Sequence, residues 1–501
     1  MSHSTSSTAG KKGIHRRRFL GGLAGAGAAL AATTTALSLI SQTDSKNKAS
    51  AASATTSTSG TLVIPSLLSA TTSDSTDVYT LTMDTGTTEI LSGVSSSTAG
   101  FNGSFLGPTI KVTNGDVVQM DVTNNLGADT TVHWHGAHVP AKVDGGPQVA
   151  FADGETWSPS FTINQEAATL WYHPHALGTT AEQVSMGLAG MLIVEDDTDT
   201  TAALPSDYGV DDIPLIFQCV AMDDEGVIKY NQAGYSEQDL NYPLLVNGVN
   251  VSDTTLTFTA STTRVRFRLL NASLSDIITI QRSDGETLTQ IATEQGYLTE
   301  ATEVDTIRLV AGSRAEIVMD LSAAAALEAV ITTGWITGGS GTYEFLSITA
   351  EGTDTPDDLP STLNTISRYD TSDFTARTIT LSNTGATMKI NGLAGTTMDG
   401  MTMISTTLGS QEIWTVTNSS QLEHSFHLHD VAFQVMSING EDPTGVNLGW
   451  KDTVEVIGGA TVEIAMEFTD YADDTYMYML HCHIAQHEDE GMMAGLMITE
   501  S

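Results

Sequence analysis

The sequence predicts an all-β chain made of three Greek-key β-sandwich domains in tandem. Three observations predict it. Short runs of alternating apolar and polar residues, such as TIKVTNGDVVQMDVTNN and TWSPSFTIN, recur between Gly, Asn and Asp turns at sandwich-like intervals. Helical periodicity is scarce. At 501 residues the chain exceeds one ordinary domain and has room for about three.

Taken in order, residues 1–60 are not fold material. Arg16, Arg17, Arg18, Phe19 and Leu20 match the twin-arginine export pattern, and a Gly/Ala/Leu/Thr stretch to about Ile40 follows as its apolar region. Gly and Thr interrupt that stretch. It is marginal against the ~20 strongly apolar residues of a membrane span, so it reads as an export signal rather than an anchor. A Ser/Thr/Ala-rich linker to about residue 60 reads as disordered. The chain is therefore expected at an extracellular, cell-surface or periplasmic site, without stable membrane insertion.

Residues 61–200 read as the first sandwich, with HWH at 133–135 as strand. Residues 205–355 read as the second, with strands in DDIPLIFQCVAMDD, TRVRFRLLNAS and SRAEIVMDLS. This second stretch contains no histidine, so its expected role is architectural, a spacer that brings its neighbours together. Arg264, Arg266 and Arg268 alternate on one strand face and are expected to form salt bridges. LSAAAALEA (321–329) is expected as a short helix or loop. Residues 351–372, polar and Pro-containing, read as a linker, and 373–501 as the third sandwich.

The formal net charge is −40, from 60 acidic and 20 basic residues. That balance argues against nucleic acid or anionic membranes as partners. Charged residues are only 16% of the chain, so a high-salt habitat and plain acidic solubility outside the cell both stay open. The chain has two cysteines and calls for no disulfide; Cys219 in PLIFQCVAM reads as a buried free thiol. No interface signal stands out, and a monomer is expected.

The chemistry concentrates in HCHIAQHEDEGMM, residues 481–493. If HCH lies on a strand, as the preceding TYMYML suggests, His481 and His483 point one way and Cys482 the other. One strand can then serve two metal centres. Cys482, His487 and Met492 follow at i, i+5 and i+10, so a short turn can fold the last two back toward the thiolate. A thiolate, imidazoles and a weak axial thioether are the ligand set of a blue-copper site. Of 13 histidines, His3 and His15 lie in the leader and His138 stands apart. The other ten form four groups: His133 and His135; His173 and His175; His424, His427 and His429; His481, His483 and His487. Four His-x-His pairs supply eight imidazoles, and His424 and His487 remain to complete the Cys482/Met492 site.

From about residue 100 onward the chain resembles the multicopper oxidases. The resemblance is carried by FNGSFLGPTIKV, VHWHGAHVPAKVDGGPQ, LWYHPHALG, SMGLAGMLIVEDD, LGWKDTV and HCHIAQHEDEGMM. It is nearest to the three-domain bacterial group with a Met axial ligand, the copper-efflux oxidases and the laccase- or bilirubin-oxidase-like enzymes. The resemblance implies cupredoxin-like domains and four coppers per chain. It implies a type 1 copper on His424, Cys482, His487 and Met492, and a type 2 copper on His133 and His427. Two type 3 coppers would take His135, His173, His175, His429, His481 and His483. It further implies that Asp144 in VDGGPQ and Glu488 deliver protons. Asp before Gly-Gly is also a good turn former, and Glu488 also reads as a solvated carboxylate in an EDE run. His138 has no counterpart among the ligands. Ser425 stands where many relatives have Pro, a position that holds no metal.

The implied activity is electron transfer through Cys482, one electron at a time, from phenolic, aminophenolic or dye-like donors, with dioxygen reduced to water. The alternative is a cuprous- or other metal-ion oxidase. Met398, Met401 and Met403 near Asp399 would suit it as a soft Cu(I) platform. Ser420 and Leu422 count against it, because they stand where copper-efflux oxidases place an Asp and a Met, and the long Met-rich insert of that group is missing. A non-catalytic structural or copper-storage protein is a third reading, which the full ligand set argues against.

Overall fold

The computed structural model describes residues 60–500 apart from 232–238, 253, 322–323 and 334–340. The twin-arginine segment, the linker up to residue 59, His3 and His15 lie outside the described residues. Three cupredoxin-like β-sandwiches follow one another along the chain.

The first pairs a six-stranded sheet around Thr76–Leu91 and Val117–Asn125 with a four-stranded sheet. The order in the smaller sheet is Ile110–Thr113, Gly190–Glu195, β2 (Ala168–His173), β1 (His133–His135). Thr76–Leu91 and Val117–Asn125 run parallel although Val94–Phe101 intervenes in sequence, the crossing expected of a Greek key. Their inward residues, among them Leu81, Val118 and Met120, meet Ile110, Leu170 and Leu192 of the smaller sheet in one apolar core. A short helix, α1 (Thr180–Ser185), follows β2.

The second sandwich has a seven-stranded and a five-stranded sheet. In the larger one β3 (Arg264–Asn271) pairs antiparallel with β4 (Arg314–Asp320). The three arginines of β3 do form ion pairs: Arg264 with Asp320, Arg266 with Glu316, and Arg268 with both Asp212 and Glu316. Arg266 and Arg268 are fully buried, and Thr169 of β2 shares both Arg268 and Glu316, so this network stitches the first two sandwiches together.

One expectation is overturned here. Ala325–Thr333, inside LSAAAALEA and beyond it, is a strand, β5, and not a helix or loop. It sits between Asp276–Arg282 and Gly341–Ala350. Ala325, Leu327, Ala329 and Ile331 enter the core with period two. Alanine's helix propensity is a weak prior, and pairing on both edges overrides it. Cys219 is a free thiol, half-buried rather than fully enclosed.

The third sandwich packs two five-stranded sheets. The one that matters for function has the order β6 (Thr402–Thr407), β10 (Met493–Thr499), β9 (Tyr478–Cys482), β7 (His424–Leu428), β8 (Thr453–Val456). Tyr478, Leu480 and Cys482 of β9 point into the core, which leaves Met479 and His481 on the opposite face. The strand ends at Cys482, so His483 lies just past it; the short helix α2 (Ala485–Asp489) then carries the chain back. No helix among the described residues is long and apolar enough to cross a membrane.

Candidate metal centre

The fold gathers the histidines into two buried groups on either side of β9. On the core side, the His424 and His487 Nδ1 atoms lie 3.5 and 3.6 Å from the Cys482 sulfur and 3.2 Å from each other. β7 supplies His424 and α2 supplies His487. Met492, fully buried in the same core, is tied to this turn by backbone hydrogen bonds: the Cys482 N–H donates to the Met492 carbonyl, and the Met492 N–H to that of His487. Ser420 Oγ stands 3.0 Å from His424 Nε2, so an Nε2–H donated there leaves Nδ1 facing the sulfur. Burial pushes the Cys482 thiol up to about 12 and the imidazoles of His424 and His487 down, to about 4 and about 3. Neutral imidazole is the metal-binding form, and a thiol raised so far is deprotonated by a coordinating metal.

On the other side lie the eight remaining histidines, all buried. β1 and β2 bring His133 opposite His173 in register, and β7 and β9 bring His427 opposite His481. The two halves interleave: His133 stacks on His429 with ring centres 3.8 Å apart, and His135 on His427 at 3.7 Å. Most outer nitrogens face a polar neighbour. His133, His173 and His427 turn Nδ1 to the carbonyls of Asp144, Pro174 and Asp452 at 2.8–2.9 Å. His429 Nδ1 meets Asp144 Oδ2 at 2.8 Å, and His481 and His175 turn Nδ1 toward Glu488 at 3.2 and 3.4 Å. His135 is reversed: its Nε2 faces Asp452 Oδ1 at 3.3 Å.

The inner nitrogens have no hydrogen-bond partner at His133 Nε2, His135 Nδ1, His173 Nε2, His427 Nε2 and on either side of the His483 ring. Buried polar atoms are seldom left so. At His175, His429 and His481 the Nε2 atoms converge instead, His481 lying 3.1 and 3.2 Å from the other two. Three nitrogens about 2 Å from one tetrahedral ion stand roughly 3.3 Å apart, so this spacing fits a metal. Burial, then the neighbouring imidazoles, holds His135, His173, His429 and His483 far below the ordinary value. These four imidazoles are thus held in the neutral form that binds a metal.

Both expected acids touch this cluster. Asp144 is fully buried and bridges His133 and His429. Glu488 lies between His175 and His481 and accepts from Thr180 Oγ1 at 2.6 Å. Burial opposes its charge, but His175 and His481 hold its carboxyl below the usual range. It is enclosed, which rules out a solvated carboxylate in a surface run. His138 turns to Asp430 at 2.8 Å and Asp470 at 3.4 Å.

Sequence reasoning missed Asp452 and its partner Arg314. Asp452 reaches His135 and His427, and Arg314 of β4 grips it with contacts of 2.5 and 2.7 Å. Burial opposes the Asp452 charge, but Arg314 and His135 hold the carboxyl well below its usual range. The signal was within LGWKDTV, where an acid between Lys and Thr reads as an ordinary surface charge.

Residues 82–199 and 358–501 match two domain families, both described as multicopper oxidase. The multicopper oxidase mco of Staphylococcus haemolyticus is 32% identical over 432 residues, covering 84% of this chain and 88% of its own. The chain belongs to the multicopper oxidase family. Among solved structures, a laccase from Pediococcus acidilactici is 29% identical with a TM-score of 0.77, covering 88% of this chain and 94% of the other. A laccase-like multicopper oxidase from Ochrobactrum is 30% identical with a TM-score of 0.77, covering 87% and 100%. The cell division protein FtsP of Escherichia coli is also similar, 32% identical over 425 residues, with 81% and 86% covered. For a multicopper oxidase the implied metal is copper, and both buried groups suit it: thiolate with imidazoles on one side, inward imidazoles on the other.

Proposed function

We propose that this multicopper oxidase is laccase-like, taking electrons singly from a phenolic, aminophenolic or dye-like donor and passing them to dioxygen. The observation that carries the proposal is Cys482, set between His481 and His483 with its sulfur facing His424 and His487. In this reading His424, Cys482, His487 and Met492 would hold a type 1 copper. His133 and His427 hold a type 2 copper. His175, His429 and His481 share one type 3 copper, and His135, His173 and His483 the other, giving four per chain. Copper so bound would supply one-electron acceptance at the cysteine site and the four-electron reduction of dioxygen to water at the histidine cluster. The chain itself does the rest. The peptide at Cys482 joins the two groups directly, so an electron needs no diffusing carrier between them. Asp144 and Glu488, each bridging two imidazoles, stand beside the cluster as candidates to relay protons to it, and Glu488 accepts from the Thr180 hydroxyl. Burial of every ligand keeps bulk water away.

Likeness to enzymes named as laccases supports the organic donor, and the complete ligand set supports an oxidase over a purely structural role like that suggested by the FtsP relatives' name. Export through the twin-arginine signal belongs to the same proposal. The test is an absorption spectrum with copper counting on the purified protein, then oxygen uptake with a phenol and separately with Cu(I). An intense visible thiolate band, about four coppers and uptake with phenols are expected. Uptake with Cu(I) alone would move the reading to a metal-ion oxidase. A colourless protein after full copper loading would overturn the assignment of Cys482.

A further inference from the structure

Beyond His481, the outer face of three adjoining strands of the third sandwich is rich in methionine. On β9 the residues sharing that face with His481 are Met479 and, just before the strand, Met477. On β10 they are Met493, Gly495 and Met497, and on the adjoining edge Met401 and Met403 precede and open β6. Register makes this a ladder: Met403 pairs across Gly495 to Met479, and Met493 stands opposite His481. Six of the chain's 18 methionines gather here, with Met398 a seventh at the rim. Met401, Met477, Met479 and Met493 are buried, whereas Met403 is 47% exposed.

Gly495 is what lets sulfur meet sulfur. A side chain there would run into the Met477 sulfur and would come within 2.7 Å of the Met403 sulfur. The two thioethers therefore flank one spot of the sheet, one of them open to solvent. At the inner end Met479 lies against Gly146, next to Asp144, and its carbonyl accepts from the His429 N–H at 3.1 Å. Leucine would fill this face equally well with better-defined rotamers; what methionine adds is a soft donor atom. Thioethers are weak ligands for hard or divalent ions and good ones for Cu(I). The net charge of −40 raises the local concentration of any cation at the surface.

We propose that Met403 and Met477 form a Cu(I)-binding site at the outer end of this sulfur face, from which copper reaches the histidine cluster at its inner end. The site is separate from both groups of the metal centre and independent of which donor the enzyme oxidises. No redox change is involved: a monovalent ion exchanges solvent or a soft carrier ligand for two thioethers.

The test uses the copper-loaded, full-length protein in a Cys219→Ser background, so that no free thiol competes. Ag(I), a redox-inert ion of the same softness and charge, is titrated by equilibrium dialysis, and silver X-ray absorption reports its neighbours. A single Ag(I) beyond the bound copper, with sulfur neighbours, is expected. Met403→Leu, at a half-exposed position that cannot unfold the sheet, should raise its dissociation constant roughly tenfold or more. Met403→Leu/Met477→Leu should abolish it, and copper-free double variant should load from Cu(I) more slowly than the copper-free parent. Absence of Ag(I) uptake by the parent, or unchanged affinity in Met403→Leu, would overturn the proposal.

Discussion

At the scale of single residues, a histidine here is defined by the nitrogen it does not offer. HWH and HPH look alike in sequence, yet His133 and His173 present Nε2 inward while His135 presents Nδ1, because Asp452 holds its other side. Spacing marked the candidate ligands, since so many histidines in pairs around one cysteine have few bland uses, and their division among coppers rested on the family resemblance. It could not reveal Asp452 or Arg314, whose residue types serve everywhere. His138 is the one described histidine outside both groups, and its pairing has a pH signature. Burial works against its charge, but Asp430 and Asp470 lift it from near 6.5 to about 9. The folded state holds that proton more tightly than the unfolded chain, so the stabilisation is full below about 6.5 and is lost as pH rises through 9. Asp430, lifted by burial to about 6, closes the window on the acid side. His138→Gln should cost about 1.5–3 kcal/mol near pH 6.5 and little above pH 9, measured by denaturant unfolding. An equal loss at both would reduce the imidazole to packing.

At the scale of elements, turns aim the chemistry and strands hold it. Asp144 caps the 3-10 turn Ala141–Val143 and is followed by Gly145 at φ +91°. A side chain at Gly145 would drive into the Val132 carbonyl beside His133. The two meanings of VDGGPQ in the sequence, turn former and acid, are thus one device. Gly145→Ala should cost about 1–3 kcal/mol of strain and shift Asp144 away from His429. Lower copper content at the histidine cluster with the visible band of Cys482 retained is expected. Full copper content and an unchanged melting temperature would refute it. The strand over Ala325–Thr333 shows where element reading fails: a run of alanines has no polar alternation to betray its period, and only the partners on each side reveal it.

At the scale of the whole molecule, the histidine-free middle sandwich is more than a spacer. Arg314 from that sandwich, Asp452 from the third and His135 from the first meet at one buried point, with Gln295 donating to Asp452 at 2.5 Å and to the Gly136 carbonyl at 2.9 Å. Arg314→Met would strand the Asp452 charge. A loss of about 3–5 kcal/mol in the copper-free protein is expected, together with a weakened type 2 signal by electron paramagnetic resonance. If thermal unfolding and the signal both match the parent, the ion pair is ornamental. Three sandwiches in tandem were legible from length and turn spacing, but how they lock was not, because the residues of the lock lie far apart in sequence and carry no shared pattern.

The separation of the ligands has a consequence for how the protein comes into being. His175 and His481 stand 306 positions apart and touch. A metal joining them closes a loop over most of the chain, a clasp rather than a local ornament, and the entropy of so long a loop grows only slowly with its length. A partly synthesised chain cannot form that clasp, because its last links, His481 to His483, His487 and Met492, emerge only with the closing strands of the third sandwich, just before Met493–Thr499. The complete ligand set therefore exists only once nearly the whole chain is made. Without copper, hydrogen bonds such as Tyr478 to the Val139 carbonyl and Thr180 to Glu488, the apolar seams and the arginine pairs hold the first and third sandwiches together.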